Sequence, residues 1–283
     1  MPTHTCCSGF ARATILSLAT ALVAGSAIAD SAPSLGSGAN INVTIKQGGV
    51  VNVGGTVAGD ATAIQRIGST TASQISGLKE TVNATNAINV GGSLGGAAYA
   101  KQEIGAADAK AVSNTSLNAT VQTAVNAGVG VSGQSRVTQE VAAISGSRAD
   151  GDSASVGATT LVNASGSVAG SGEATQNIGA INADRSKTSS TDVNVKTAIN
   201  VGVTLAGASN ATQNVGVVGG ESATGDSTTV RAVTLTNAGA ALAGSATATQ
   251  GIGEIAATTS KNNKVDVTLT SATNAGAAIA GQS

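Results

Sequence analysis

Side chains able to do catalytic chemistry are scarce and sit in the wrong place for it. The one histidine is His4, the two cysteines are Cys6 and Cys7, and the aromatics are Phe10 and Tyr99 with no Trp. Thr14 to Ala29 is an apolar stretch behind the weakly basic Arg12. Its ending, Ala27-Ile28-Ala29 before Asp30, reads as a small-x-small cleavage site, so residues 1–29 are expected to be a secretory signal peptide. The alternative, an N-terminal membrane anchor, needs about 20 apolar residues, and this run is shorter. Cleavage removes every His, Cys, Met and Phe. Ser-His-Asp, Cys-His and zinc constellations, and disulfides, then cannot be built. The expectation is a chain that is not an enzyme and needs no cofactor or metal.

Two local stretches resemble ligand-binding motifs. Gly128-Val129-Gly130-Val131-Ser132-Gly133 matches GxGxxG but follows no strand-to-helix transition, so it reads as a strand rather than a dinucleotide site. Asp150-Gly151-Asp152 has a calcium-loop flavour, yet corresponding stretches elsewhere lack a comparable acidic set, which favours a solvated turn. The chemistry left is that of side-chain amides, which donate and accept hydrogen bonds at once. Gln65, Gln102, Gln139, Gln176, Gln213 and Gln250 stand 37 residues apart, as do Asn52, Asn89, Asn126, Asn163, Asn200, Asn237 and Asn274. Identical amides at a fixed period can bond along a stack when each period is one layer, although Asn also suits turns.

These columns belong to a longer repeat. Seven residues after each Asn comes Gly59, Gly96, Gly133, Gly170, Gly207, Gly244 or Gly281; five after it comes Val57, Leu94, Val131, Val168, Leu205, Leu242 or Ile279. The glycines are expected at turns or close-packing points. Two after each Gln is Ile or Val, then Gly in each case but Ala142. Units start at 43, 80, 117, 154, 191, 228 and 265, six full and one half, over 43–283, behind an N-terminal leader of 30–42. Ile199-Asn200-Val201-Gly202-Val203-Thr204-Leu205 shows the strand period of two. Each unit is expected to run strand, turn, strand, polar loop, the loop being stretches such as Ala183-Asp184-Arg185-Ser186-Lys187. The fold class predicted is all-β, a β-solenoid of stacked layers. One unit cannot stand alone: burying about eight aliphatic side chains does not offset the conformational entropy lost on ordering 37 residues. Stacking supplies the remainder.

Charge narrows the partners. With 14 Lys+Arg against 15 Asp+Glu, spread without blocks, there is no footprint for nucleic acid or an anionic membrane, and no small-molecule substrate is indicated. A transmembrane β-barrel shares the alternating strands but would carry aromatic girdles, and Tyr99 is the one aromatic beyond the leader.

Gly202-Val203-Thr204-Leu205-Ala206-Gly207-Ala208-Ser209-Asn210-Ala211-Thr212-Gln213 resembles the G-V-N-x-A-A-G-x-x-N-x-Q signature of Fap-type bacterial functional amyloid subunits, whose repeats are also about this long. It departs at Thr204, where the family prefers Asn, lacks one residue before Gly207, and has a longer gap before Gln213. Gln176 to Ala183 is also similar to the shorter curlin repeats. The resemblance implies export from a Gram-negative bacterium through an outer-membrane pore and polymerisation with itself, and with a related subunit, into extracellular cross-β fibrils serving adhesion and biofilm. Independently, the repeat stops at Ser283 within a unit, which would leave an open edge able to template another copy. The alternative is a non-polymerising solenoid stalk or passenger at the cell surface.

Overall fold

A computed structural model describes residues 41–282; the expected signal peptide and nearly all of the leader lie outside them. The described chain coils into a parallel β-solenoid. Residues pair with partners 37 positions on: Asn52 with Asn89 and Asn89 with Asn126 on the first side of the coil, Gln65 with Gln102 and Gln102 with Gln139 on the second, Ile144 with Ile181 and Ile181 with Val218 on the third. One repeat is therefore one coil. The first strand, Ile41–Thr56, begins two residues above the boundary read at 43.

The coil has three sides, where the repeat suggested two strands and a loop. In the fourth coil these are Ser153–Ala169, Gly172–Ile178 and Ile181–Lys187. The expected polar loop is thus mostly a strand of the third side. It escaped the pattern because its outward positions, Asp184 and Arg185, are charged, while its inward ones are no larger than Ile181 and Ala183. Its corner recurs at Gly77, Asn114, Gly151, Thr188, Gly225 and Asn262, all with positive φ. Asn and Thr stand in for Gly here, so residue identity alone did not reveal the column.

The long side bends. Val195 and Thr197 pair with the next coil but Lys196 between them does not, and two successive residues turn outward. Inward positions therefore change parity, from Thr191, Val193 and Val195 before the bend to Ala198, Asn200, Gly202 and Thr204 after it. The interior has two compartments. The first half of the long side and the third side enclose an aliphatic core including Val193, Val195, Val215 and Val218 and their stacked counterparts such as Val156, Ile178 and Ile181. Beyond the bend, the long side and the second side form a narrow arch filled by amides and small residues.

This division corrects the count of buried aliphatics. In the coil from Ser190, Val193, Val195, Val215, Val217 and Val218 are buried, whereas Val203 and Leu205 are exposed and Ile199 and Val201 half-buried. The number is smaller than the eight expected, so more of the stability rests on the ladder and the arch.

Candidate functional site

The arch is the chemically distinctive part of the molecule. Asn52 Nδ2 donates to Asn89 Oδ1 at 2.8 Å, and the same bond recurs from Asn89 to Asn126, Asn126 to Asn163, Asn163 to Asn200, Asn200 to Asn237 and Asn237 to Asn274 at 2.8–3.0 Å. The other amide proton is used across the arch: Asn200 Nδ2 also donates to Thr212 O at 2.9 Å and Ala174 O at 3.1 Å. The Asn side chains from 89 to 237 are fully buried. They tie the two arms of the arch together as well as tying coil to coil, which a turn residue would not do.

The Gln column runs the opposite way. Gln102 Nε2 donates back to Gln65 Oε1 at 2.6 Å, and so on through Gln139, Gln176, Gln213 and Gln250 at 2.6–2.7 Å. Gln102 Nε2 further reaches Ala87 O at 3.1 Å. Two lines of amide dipoles thus point in opposite directions along the solenoid, so their fields oppose. Each is polar, with a donor end and an acceptor end. A buried amide in such a line is satisfied on both faces, the condition under which burial of a polar group is tolerated.

Glycine makes the arch narrow enough for these bonds. A Cβ on Gly91 would lie 2.8 Å from Tyr99 O, and one on Gly54 2.9 Å from Thr62 O, both backbone atoms of the facing arm. Only the fourth coil has a side chain at this position, Ser165, and there the facing residue, Ala or Ser in the other described coils, is Gly172. Ser165 Oγ uses the space to donate to Ser135 O at 2.8 Å. The exchange of bulk across the arch is a physical compensation written within one chain.

At the arch tip, Gly59, Gly96, Gly133, Gly170, Gly207 and Gly244 all have φ between 97° and 145°. A Cβ at Gly207 would sit 2.7 Å from the carbonyl carbon of Gly170 in the coil before, and nearer still to its oxygen. The tip is a column that only Gly can form. Gly281 meets Gly244 in the same way. Gly128 and Gly133 of the GxGxxG match fall in the arch and at its tip, and a Cβ on Gly128 would meet Val137 Cγ2 at 2.6 Å. The match lies within the arch packing and forms no phosphate loop.

Acidic residues have structural duties at the corners. Asp152 is buried; its Oδ1 accepts from Thr115 N at 2.8 Å and its Oδ2 from Asp150 N at 2.9 Å. Burial pushes its pKa up to about 6 despite those bonds. Asp226 plays the same part for Ser189 N at 2.8 Å, and burial raises it too. Glu80 is buried beside Val82, its Oε1 without a partner and its Oε2 accepting from Thr70 Oγ1 at 3.4 Å; desolvation pushes it up to about 8. On the outer face of the second side, Glu103 meets Arg66 at 2.7 Å and also Lys101. Burial alone would raise Glu103, but the bonds from Lys101 and Ser69 and the charge of Lys101 outweigh it and leave it lowered. No group of three or more His, Cys, Asp or Glu among the described residues could hold a metal.

Compared with known proteins, the chain matches no family model, no curated protein and no solved structure.

Proposed function

We propose that this is a secreted structural protein that polymerises head to tail into extracellular cross-β fibrils, with a role in adhesion and biofilm matrix. The observation that carries the reading is the polarity of the amide columns. At the last described coil, Asn274 accepts from Asn237 and its Nδ2 reaches back to Ala248 O, with no Asn oxygen beyond it among the described residues. At the first coil, Asn52 Oδ1 has no Asn donor above it among the described residues. The Gln column is polar in the reverse sense, each amide donating to the coil before. A column with a donor sense and an acceptor sense is continued by another copy in the same orientation, and such heterologous contacts grow into open filaments rather than closed rings. The aliphatics of the last coil add to this, since Val267 is exposed where its stacked counterparts Val193 and Val230 are buried, and Val265 is exposed where Thr191 and Thr228 are buried.

By resemblance, the partners are further copies of the chain, a related amyloid subunit, and an outer-membrane export pore of a Gram-negative bacterium. The test is fibre diffraction and seeding of the purified chain from Asp30. Reflections near 4.7–4.8 Å and ~10 Å, with elongation accelerated by sonicated seeds, are expected. A chain that stays monomeric under these conditions would instead be a surface stalk.

A further inference from the structure

Past the bend, the long side carries its polar residues inward and its aliphatic residues outward. The outward face holds Ile199, Val201, Val203 and Leu205 in one coil and Ile88, Val90, Gly92 and Leu94 in another. Across all seven coils, the positions next to and beyond the Asn are Val, Ile, Leu, Ala or Gly, save Thr236 and Thr273. Val57, Leu94, Val129, Val203, Leu205 and Leu242 are each between 44% and 59% exposed. The opposite face of the arch is built differently, with Arg66, Lys101, Glu103, Arg136, Glu140 and Glu173 in a ladder of ion pairs. The arch is therefore two-faced, one side charged and one side apolar.

We propose that this apolar face is the lateral interface with a second copy of the same solenoid, packed sheet on sheet. Three observations select this occupant. The face spans about 23 Å along the strand and about 34 Å over seven coils, at ~3.3 Å per residue and ~4.8 Å per coil. Two copies would bury about 1,500 Å², within the ~1,200–2,000 Å² of a stable interface. The face carries no charge, so it is self-complementary and its own copy opposes no like charges. Its coil spacing, ~4.8 Å, is matched by an identical sheet. With the expected signal peptide removed, residues 30–40, with Leu35 their one large aliphatic, have too little apolar surface to cover it. A lipid surface is ordinarily met by aromatic and basic residues, and this face has neither.

The pairing stands apart from axial growth, because stacked copies place equivalent residues a whole solenoid apart, about 30 Å. The test uses that distance. The chain from Asp30 has no cysteine, so Ala164→Cys marks the centre of the apolar face and Thr175→Cys the polar face of the same coil. A bis-maleimide of ~10 Å reach, the spacing of packed sheets, should join Ala164→Cys copies into a covalent dimer and leave Thr175→Cys unjoined. Adding Val129→Lys and Val203→Lys, both outward-pointing, should abolish the cross-link at least tenfold while leaving the far-UV circular dichroism unchanged. Equal cross-linking at both cysteines, or none at Ala164→Cys, overturns the proposal. So does binding of the otherwise unpaired wild-type chain to phosphatidylcholine vesicles that the lysine variant loses, which would assign the face to lipid. Failure of fibre growth with cross-linking intact would refute head-to-tail polymerisation and leave the lateral pairing standing.

Discussion

Replacing Asn163 with Ala should damage the solenoid far more than the same change at Asn274, although both belong to one column. Asn163 Nδ2 donates to Asn200 Oδ1 at 2.8 Å and to Thr175 O at 2.9 Å, and its own oxygen accepts from Asn126 at 3.0 Å. Truncation leaves one proton and two oxygens without these partners in a site with no access to water. Each buried orphan costs about 1–3 kcal/mol, so the sum is about 3–9 kcal/mol, a large share of the ~5–15 kcal/mol that holds a typical domain together. Asn274 lies exposed on the last described coil, where it accepts from Asn237 at 2.8 Å and donates to Ala248 O at 3.0 Å. Water can replace those bonds, and the cost should be about 1 kcal/mol or less. Because each coil touches only its neighbours, the damage at Asn163 should be local. Hydrogen exchange of non-polymerised chain should show protection falling at least about 100-fold in the coils on either side of Asn163, since 1.4 kcal/mol is a factor of ten. A difference between the two variants smaller than about 1 kcal/mol would refute the account of the amide column as a buried, satisfied line.

Gly207→Ala and Gly59→Ala separate backbone strain from collision at the arch tip. Both positions have positive φ, but a Cβ at Gly59 meets nothing within 4 Å whereas at Gly207 it strikes the coil before. Urea unfolding should give about 1–2 kcal/mol of loss at Gly59 from strain and clearly more at Gly207. Gly172→Ser alone should destabilise by crowding Ser165, and Ser165→Gly together with Gly172→Ser should recover most of the loss, as a double-mutant cycle would report. Glu80 has a pKa raised from 4.5 to about 8, so the native state holds its proton more tightly than the unfolded one, and its stabilisation is present below about pH 4.5 and lost as pH rises to about 8. At about 1.4 kcal/mol per pH unit, that removes about 4 kcal/mol between pH 5 and 8. Glu80→Gln should flatten the pH dependence above pH 6, leaving at lower pH the smaller dependence of Asp152, whose stabilisation is lost in the same direction as pH rises from about 4 to about 6.

The period, the Asn and Gln columns and the tip glycines are legible in the sequence because an in-register parallel stack puts identical residues on top of one another. Repetition of type at a fixed spacing then reports position directly. The third side was not legible: its inward residues vary from Ile181 to Ala183, and its corner accepts Gly, Asn or Thr. The direction of each amide column was hidden as well, since an amide can donate either way until its surroundings choose.

The sequence by itself determined that the chain must stack, at what period, and which residues recur in each layer. Only the tertiary structure decided which face of the repeated strand turns inward. Period-two alternation presents two opposite faces, and apolar burial alone would have turned Ile199, Val201, Val203 and Leu205 to the inside. The bend at Lys196 and Thr197 reverses the parity, and the narrow arch admits amides and glycine where branched side chains would not fit. The bonds that Asn and Gln make along and across the arch outweigh the aliphatic surface left outside. That surface is available for another copy.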